Sequence, residues 1–334
     1  MDRMNLLILV FLFILNFIVT YALVPWIAQV MRNRRITGID IHKVHRPVIP
    51  EMCGLALWPS IVISLILLTL FDKENIHLYL SFLFSILIAG FIGFKDDLSP
   101  LNSLLKPALT IFAGLPILLL NAYSPTPVLP YIGSTRLTIV YPFLVLIGLA
   151  VTSNAVNMMD VFNGVMPGTC GIISLFSFLT LIYLKRYSEA TLPLILLGGL
   201  IAFYIFNRYP AKVFAGDSGS LFVGAALGSI AVIGQVEIIM IIALMPHIMN
   251  AYYGLSSIGR LYERRDIKDR PIKVIPKGRL AATDFRHAPI TLTRIILAQG
   301  PLREKEITIF MMVLTVLSCI LALVTFLLIP GMVK

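Results

Sequence analysis

The sequence predicts an all-α, polytopic integral membrane protein of about ten transmembrane helices, and three observations lead there. The first is composition. The chain of 334 residues is 58% hydrophobic and 13% charged, with a mean hydropathy of +0.91, whereas soluble domains carry roughly 25% charged residues. That apolar excess is more than one water-soluble core can bury. The second is the recurrence of apolar runs, at about 5–30, 54–71, 77–94, 105–121, 138–153, 165–184, 191–207, 213–234, 236–255 and 307–330. Each lies near the ~20 residues that a spanning helix needs. The third is charge asymmetry: 21 of the 27 lysines and arginines fall in loops after odd-numbered runs, and six fall on the other side.

Basic residues concentrate on the cytoplasmic side of membrane proteins. The rule therefore places loops of about 31–53, 95–106, 154–164, 208–217 and 256–306 in the cytoplasm, with both termini outside. Long loops weigh less in this rule, yet setting the last loop aside leaves nine basic residues against six, and the orientation holds. Residues 1–334 read as one integral membrane domain without the internal repeat of many transporters.

Taken in order, the first run is too long for a signal-peptide core and lacks a cleavage site, so it is expected to remain as a span. The second and third runs flank a short charged turn. The third ends in Gly93-Phe94-Lys95-Asp96-Asp97, and the fourth begins just before Lys106. Between the fourth and fifth lies a proline-rich segment, 121–137, with the character of a turn-rich outer loop. The remaining runs are separated by short polar stretches until the long basic segment 256–306. Cys53, Cys170 and Cys319 are odd in number and lack metal-ligand spacing, which argues for packing roles. The net charge of +10 records topology rather than affinity for nucleic acid.

The unusual polar residues gather in the five cytoplasmic loops: Asp40-Ile41-His42-Lys43 and Glu51; Asp96, Asp97 and Lys106; Asn154, Asn157, Asp160 and Asn163; Phe214 and Asp217; and the last basic loop. Each has a structural reading beside the functional one. Paired aspartates at a helix end cap the next helix as readily as they hold a cation. Asparagines serve as interhelical hydrogen-bond glue, and Gly216, Gly219, Gly224 and Gly228 let helices approach closely. A basic loop contacts anionic lipid. Together, however, carboxylate and amide oxygens suit Mg2+, which binds through one or two carboxylates plus phosphate oxygens. Neighbouring lysines and arginines would neutralise a diphosphate. The combination favours phosphoryl transfer, with an apolar bundle to house a lipid acceptor.

The order and spacing of these clusters resemble the polyprenyl-phosphate N-acetylhexosamine-1-phosphate transferases, membrane enzymes of the glycosyltransferase family 4 type. The resemblance covers nearly the whole chain. Asp40-Ile41-His42-Lys43 followed by Ile49-Pro50-Glu51, Asp97 with Lys106, and Gly300-Pro301-Leu302-Arg303-Glu304 resemble the eukaryotic and archaeal UDP-GlcNAc:dolichyl-phosphate branch. The last loop lacks the histidine-rich motif of the bacterial cell-wall relatives. It also lacks the Arg-His-Arg cluster of the dolichol branch, presenting Arg264, Arg265, Lys268 and Arg270 instead. Asp160 stands where the bacterial relatives carry aspartate and the dolichol branch often an apolar residue.

The resemblance implies transfer of GlcNAc-1-phosphate from UDP-GlcNAc to a polyprenyl or dolichyl phosphate. UMP would be released, and the product would be the first lipid-linked intermediate of glycan assembly, as in protein N-glycosylation. It implies Mg2+ as cofactor, with Mn2+ as an alternative, held by Asn157 and Asp217. Asp96, Asp97 and Lys106 become the catalytic group. Phe214 would stack on uracil, Asn163 and the backbone of Ile41 would read its edge, and Glu51 would lie near the ribose. Arg264, Arg265, Lys268 and Arg270 are the candidates to grip sugar and diphosphate. The expected partners are the UDP-sugar, the polyprenyl phosphate and membrane lipid, with no nucleic acid; a homodimer is compatible with this. The compact length and the lack of an endoplasmic-reticulum retention signal favour an archaeal plasma membrane over the endoplasmic reticulum. Another UDP-N-acetylhexosamine or undecaprenyl phosphate is the alternative substrate. A lipid-linked transporter or flippase would need essential polar groups at mid-membrane depth and on both faces, and this sequence gathers them on one.

Overall fold

Backbone N–H and C=O groups inside hydrocarbon must be bonded within their own segment, so the apolar runs become helices. The computed structural model describes residues 6–261, 267 and 269–329. Its helices are α1 (Leu6–Asn33), α2 (Leu57–Phe71), α3 (Ile76–Leu98), α4 (Leu105–Thr110), α5 (Leu115–Leu119), α6 (Val140–Met159) and α7 (Val165–Tyr183). They continue with α8 (Tyr187–Asn207), α9 (Asp217–Ile233), α10 (Glu237–Ala243), α11 (Met245–Ile258), α12 (Leu292–Ile296) and α13 (Glu304–Leu327). Among the described residues, seven helices are long and apolar enough to cross a membrane, and α10–α11 makes an eighth if the bent pair is one span. The chain has the architecture of a polytopic membrane protein.

Three of the ten expected runs depart from simple spans. The run at 105–121 becomes α4 and α5 joined by a tighter turn, Ile111–Gly114. Pro107 and Pro116 each lack an amide hydrogen, which limits regular helix there. The run at 213–234 starts its helix only at Asp217, because 213–216 is extended beside 50–54. Phe214 N–H donates to the Pro50 carbonyl (2.9 Å), and Cys53 N–H to that of Phe214 (2.9 Å). Leu105–Leu119 and Asp217–Ile233 are thus short apolar helices, about 22 and 26 Å long at 1.5 Å per residue. The third run bends by 66° between α10 and α11, at Leu244 and ahead of Pro246, a common cause of a kink.

The chain is mostly helical, as expected, and the segments between helices pair locally into short strands. β1 (Thr37–Ile39) and β2 (Val48–Pro50) form an antiparallel ribbon, as do β3 (Val128–Leu129) and β4 (Gly133–Ser134). In the long basic loop, β5 (Ile272–Ile275), β6 (Arg279–Ala282) and β7 (Leu302–Arg303) make a three-stranded antiparallel sheet. Leu280 and Leu297 from this loop pack with Met159, Phe162, Val165, Ile307 and Met311, tying it to the ends of α6 and α13.

α9 lies at the centre, between α3 and α6, and every residue from Ser218 to Ile233 is buried. Small residues make that possible by letting backbones touch. A Cβ on Gly93 of α3 would stand 2.2 Å from the Asp217 carbonyl oxygen, and one on Gly224 would stand 2.6 Å from that of Thr152. Apolar side chains such as Phe11, Ile18, Val313 and Ile320 are exposed on the outer helices, as suits a surface that faces lipid.

Candidate active site

The close approach of α3 to α9 sets the aspartate pair against the start of the central helix. The first N–H groups of a helix lack partners and carry partial positive charge. Asp97 supplies both of its oxygens to them: Oδ1 accepts from Asp217 N–H (2.8 Å) and Oδ2 from Ser218 N–H (2.9 Å). Gly216 permits the turn, with φ +73°. Any Cβ there would lie 2.7 Å from Asp97 Oδ2. Asp96 points elsewhere, accepting from Leu101 N–H (2.6 Å) and pairing with Lys106 Nζ (2.7 Å).

Lys106 then joins the two acidic groups, since its ammonium also meets Asp217 Oδ2 (2.8 Å). The other Asp217 oxygen accepts from Asn157 Nδ2 (2.8 Å), which donates as well to Ser220 Oγ (2.8 Å). Asp217 keeps 28% of its side chain exposed, against 9% for Asp96. Two carboxylates thus share one ammonium, and Asp217 lies next to the side chains of Asn157 and Ser220, each of which also carries a neutral oxygen. That donor set fits a hard divalent cation.

A cavity of about 900 Å³ opens over this group. Its lining combines apolar side chains of the α4 and α6 regions, Leu104, Ile111, Ile147 and Val151, with Asp40, Asn163, Phe214 and Asn207. Lys106, Asn157 and Asp217 sit among its lining residues, as do Ile41, Glu51 and Arg270. Phe214 and Glu51 adjoin through Gly38, where a Cβ would meet the Phe214 ring at 3.2 Å and Glu51 Oε2 at 3.3 Å. Asp96 and Asp97 are not lining residues; they stand behind Lys106 and the α9 turn. Arg264, Arg265 and Lys268 lie outside the described residues.

Asn163 proves busier than the sequence suggests. Its side-chain oxygen accepts from Lys43 Nζ (2.9 Å) and Ala211 N–H (3.1 Å), and its Nδ2 donates to Asp40 Oδ2 (3.3 Å). Lys43 also pairs with Asp40 (2.9 Å) and with Glu304, whose other oxygen accepts from Asn163 N–H (2.9 Å). An amide nitrogen has two hydrogens, so one remains for a ligand. Asp40, His42 and Glu304 are close enough together to hold a metal ion, but the Lys43 ammonium already neutralises two of them. Sequence reasoning assigned no role to Asp40, Lys43, Asn207, Ser220 or Glu304. The available signal was a carboxylate or amide at the edge of an apolar run, where burial demands a partner.

Comparison with known proteins gives this site a context. The profile of glycosyl transferase family 4 matches residues 79–235, from α3 through α9. A phospho-N-acetylmuramoyl-pentapeptide-transferase of Streptococcus pneumoniae is 31% identical over 231 residues, covering 65% of this chain and 71% of that one. The chain belongs to glycosyl transferase family 4. A Saccharolobus solfataricus protein provisionally named UDP-N-acetylglucosamine–dolichyl-phosphate N-acetylglucosaminephosphotransferase is 27% identical over 327 residues, 96% of this chain and 98% of that one. A provisionally named glycosyltransferase of Methanocaldococcus jannaschii is 29% identical over 297 residues, 88% of this chain and 89% of that one. As a member of this family, the chain is a transferase of the membrane.

Proposed function

We propose that this chain transfers GlcNAc-1-phosphate from UDP-GlcNAc to a polyprenyl phosphate of the dolichyl type, releasing UMP. The observation that carries the reading is one cavity lined by both apolar and polar side chains, with Lys106, Asn157 and Asp217 among them. A lipid phosphate and a nucleotide diphosphate can meet there. Phe214, Glu51, Ile41 and Asn163 would receive the nucleoside, and Arg270 the sugar or diphosphate. Arg264, Arg265 and Lys268 remain candidates for the same task. Asp217 and Asn157 would hold Mg2+, or Mn2+, which when bound neutralises charge on the diphosphate.

The mechanism is an in-line displacement. An oxygen of the lipid phosphate attacks the sugar-linked phosphorus, the bond from that phosphorus to the UMP oxygen breaks, and UMP leaves with the electron pair. Lys106 stabilises the charge on the phosphates, and the cavity holds the two reactants in line. Phosphate is already largely ionised at neutral pH, so no strong base is required. The hydrogen bonds of Asp97 and the ion pair of Asp96 favour positioning roles over attack on phosphorus. A covalent aspartyl intermediate predicts exchange of labelled UMP into UDP-GlcNAc without acceptor, and such exchange would overturn the single displacement.

Counting Leu105–Leu119, α9 and the bent pair as crossings would give ten spans, and the excess of basic residues on the side of the site supports a cytoplasmic site with both termini outside. The near full-length archaeal relative supports a plasma membrane location. The test is a transfer assay with purified protein, a panel of UDP-sugars, dolichyl or undecaprenyl phosphate, and Mg2+ or Mn2+ with a chelator control. Metal-dependent release of UMP with a lipid-linked GlcNAc product is expected. Translocation of lipid-linked sugar without UMP release would sink the proposal.

A further inference from the structure

A second cavity of about 320 Å³ lies where α8 ends and α13 begins. Its walls carry the cations Arg208, Lys212 and Lys305 and the rings of Tyr204 and Tyr209, with no carboxylate in the lining. Among the described residues, none of the three cationic side chains has an ion pair or a side-chain hydrogen bond. Two acids flank Lys305 in sequence: Glu304 is committed to Lys43 and Asn163 N–H, and Glu306 Oε2 accepts from Arg303 N–H. Three unpaired like charges around one hollow repel one another and attract an anion.

The depth of the cavity narrows the choice of anion. α8 and α13 are both membrane-length helices; Arg208 and Lys212 follow the end of α8, and Lys305 lies in the first turn of α13. Below them Ile205 and Ile309 are 36% and 49% exposed on the outer surface, and Tyr209 is 42% exposed beside them. Apolar residues facing lipid, a tyrosine at the boundary and cations above it match the profile of a lipid headgroup layer. We propose that this second cavity binds an anionic phosphate group, presented by a membrane lipid whose tails lie along Ile205 and Ile309. The occupant would bear on the larger site. Asn163 lines both cavities, and Tyr209 lies 4.5 Å from the Lys43 ammonium that ties the first loop to α13.

The test needs no transferase activity. Full-length protein is reconstituted in phosphatidylcholine with or without phosphatidylglycerol, and retained lipid is read by native mass spectrometry. Arg208→Gln/Lys212→Gln/Lys305→Gln is compared with Lys273→Gln/Lys277→Gln/Arg279→Gln, which removes equal charge from the exposed β5–β6 hairpin. Retained phosphatidylglycerol is expected to fall about tenfold or more in the first variant only, given the attraction of each basic residue to an anionic surface. All three site cations are exposed, so folding should survive; Lys212→Gln/Lys305→Gln, checked for monodispersity, gives a milder version of the same comparison. A further arm offers inorganic phosphate to protein in neutral detergent. Charge-dependent binding of phosphate with no preference for the lipid would keep the anion site and overturn the lipid. Equal retention by the two triple variants would overturn the site.

Discussion

Asp97 serves another helix with both of its oxygens, and this separates it from its neighbour. Replacing it with asparagine keeps one acceptor but turns an NH2 group toward a backbone N–H of α9. We expect Asp97→Asn to cost about 1–3 kcal/mol, the usual penalty for an unsatisfied buried group, seen as a lower melting midpoint in detergent. Turnover should fall with it, because Asp217 sits on the turn that Asp97 holds, while metal-dependent nucleotide binding is retained. Asp217→Asn should behave differently. Its carboxylate faces the cavity and pairs with Lys106, so binding that depends on Mg2+ should be lost and UMP release should drop about 10²-fold or more. Equal loss of metal binding in both variants would place Asp97 among the ligands and refute its capping role.

At the scale of elements, the central helix depends on backbone contact that only glycine permits. Gly93→Ala would drive a Cβ to within 2.2 Å of the Asp217 carbonyl oxygen, forcing α3 and α9 apart. The expected cost is about 1–3 kcal/mol, as for other overpacked interiors, with loss of activity because Asp97 moves with α3. Gly148→Ala on α6 is the control, since nothing lies within 4 Å of a Cβ there. It should be neutral or stabilising by up to about 1 kcal/mol through helix propensity. The opposite signs can be read in one thermal-shift series. At the other end of α3, Asp72 joins the turn after α2 to the start of α8, accepting from Ser188 (2.7 Å), Tyr79 (2.7 Å) and Asn75 (3.0 Å). Burial pushes its carboxyl up, but those hydrogen bonds outweigh burial and leave it below its ordinary value. A depressed carboxyl stabilises above its unfolded value, near pH 4, and that contribution fades as pH falls through the folded one. Melting of the native protein should therefore weaken on acidification from pH 5 to about pH 3 more than melting of Asp72→Asn.

Across the whole molecule, hydropathy was legible wherever a run stayed helical, which accounts for the seven long helices. It misled where tertiary pairing overrode the run: residues 213–216 are apolar but bond to 50–54 instead of extending α9. The site was legible as residue types gathered on one side, because hard oxygens and cations are rare in this composition. Its internal order was not. Nothing local shows that Lys43 meets Glu304, 261 positions away, or that Asp97 turns to backbone rather than to the cavity. Leu105–Leu119 alone is shorter than the ~30 Å of hydrocarbon that a spanning segment crosses, so its crossing can be tested directly. The native cysteines Cys53, Cys170 and Cys319 are all buried, so an impermeant maleimide should meet little background. Ser99→Cys, in the exposed turn after α3, and Thr126→Cys, in the exposed loop after α5, then report the two ends of Leu105–Leu119. Ten crossings predict labelling of Thr126→Cys from outside intact cells and of Ser99→Cys only after permeabilisation. If Leu105–Leu119 is instead a re-entrant segment, both cysteines will label only after permeabilisation. The count of crossings would then be nine, and α6 would carry Asn157 to the face opposite Lys106, so that result would also overturn the geometry that joins both residues to Asp217.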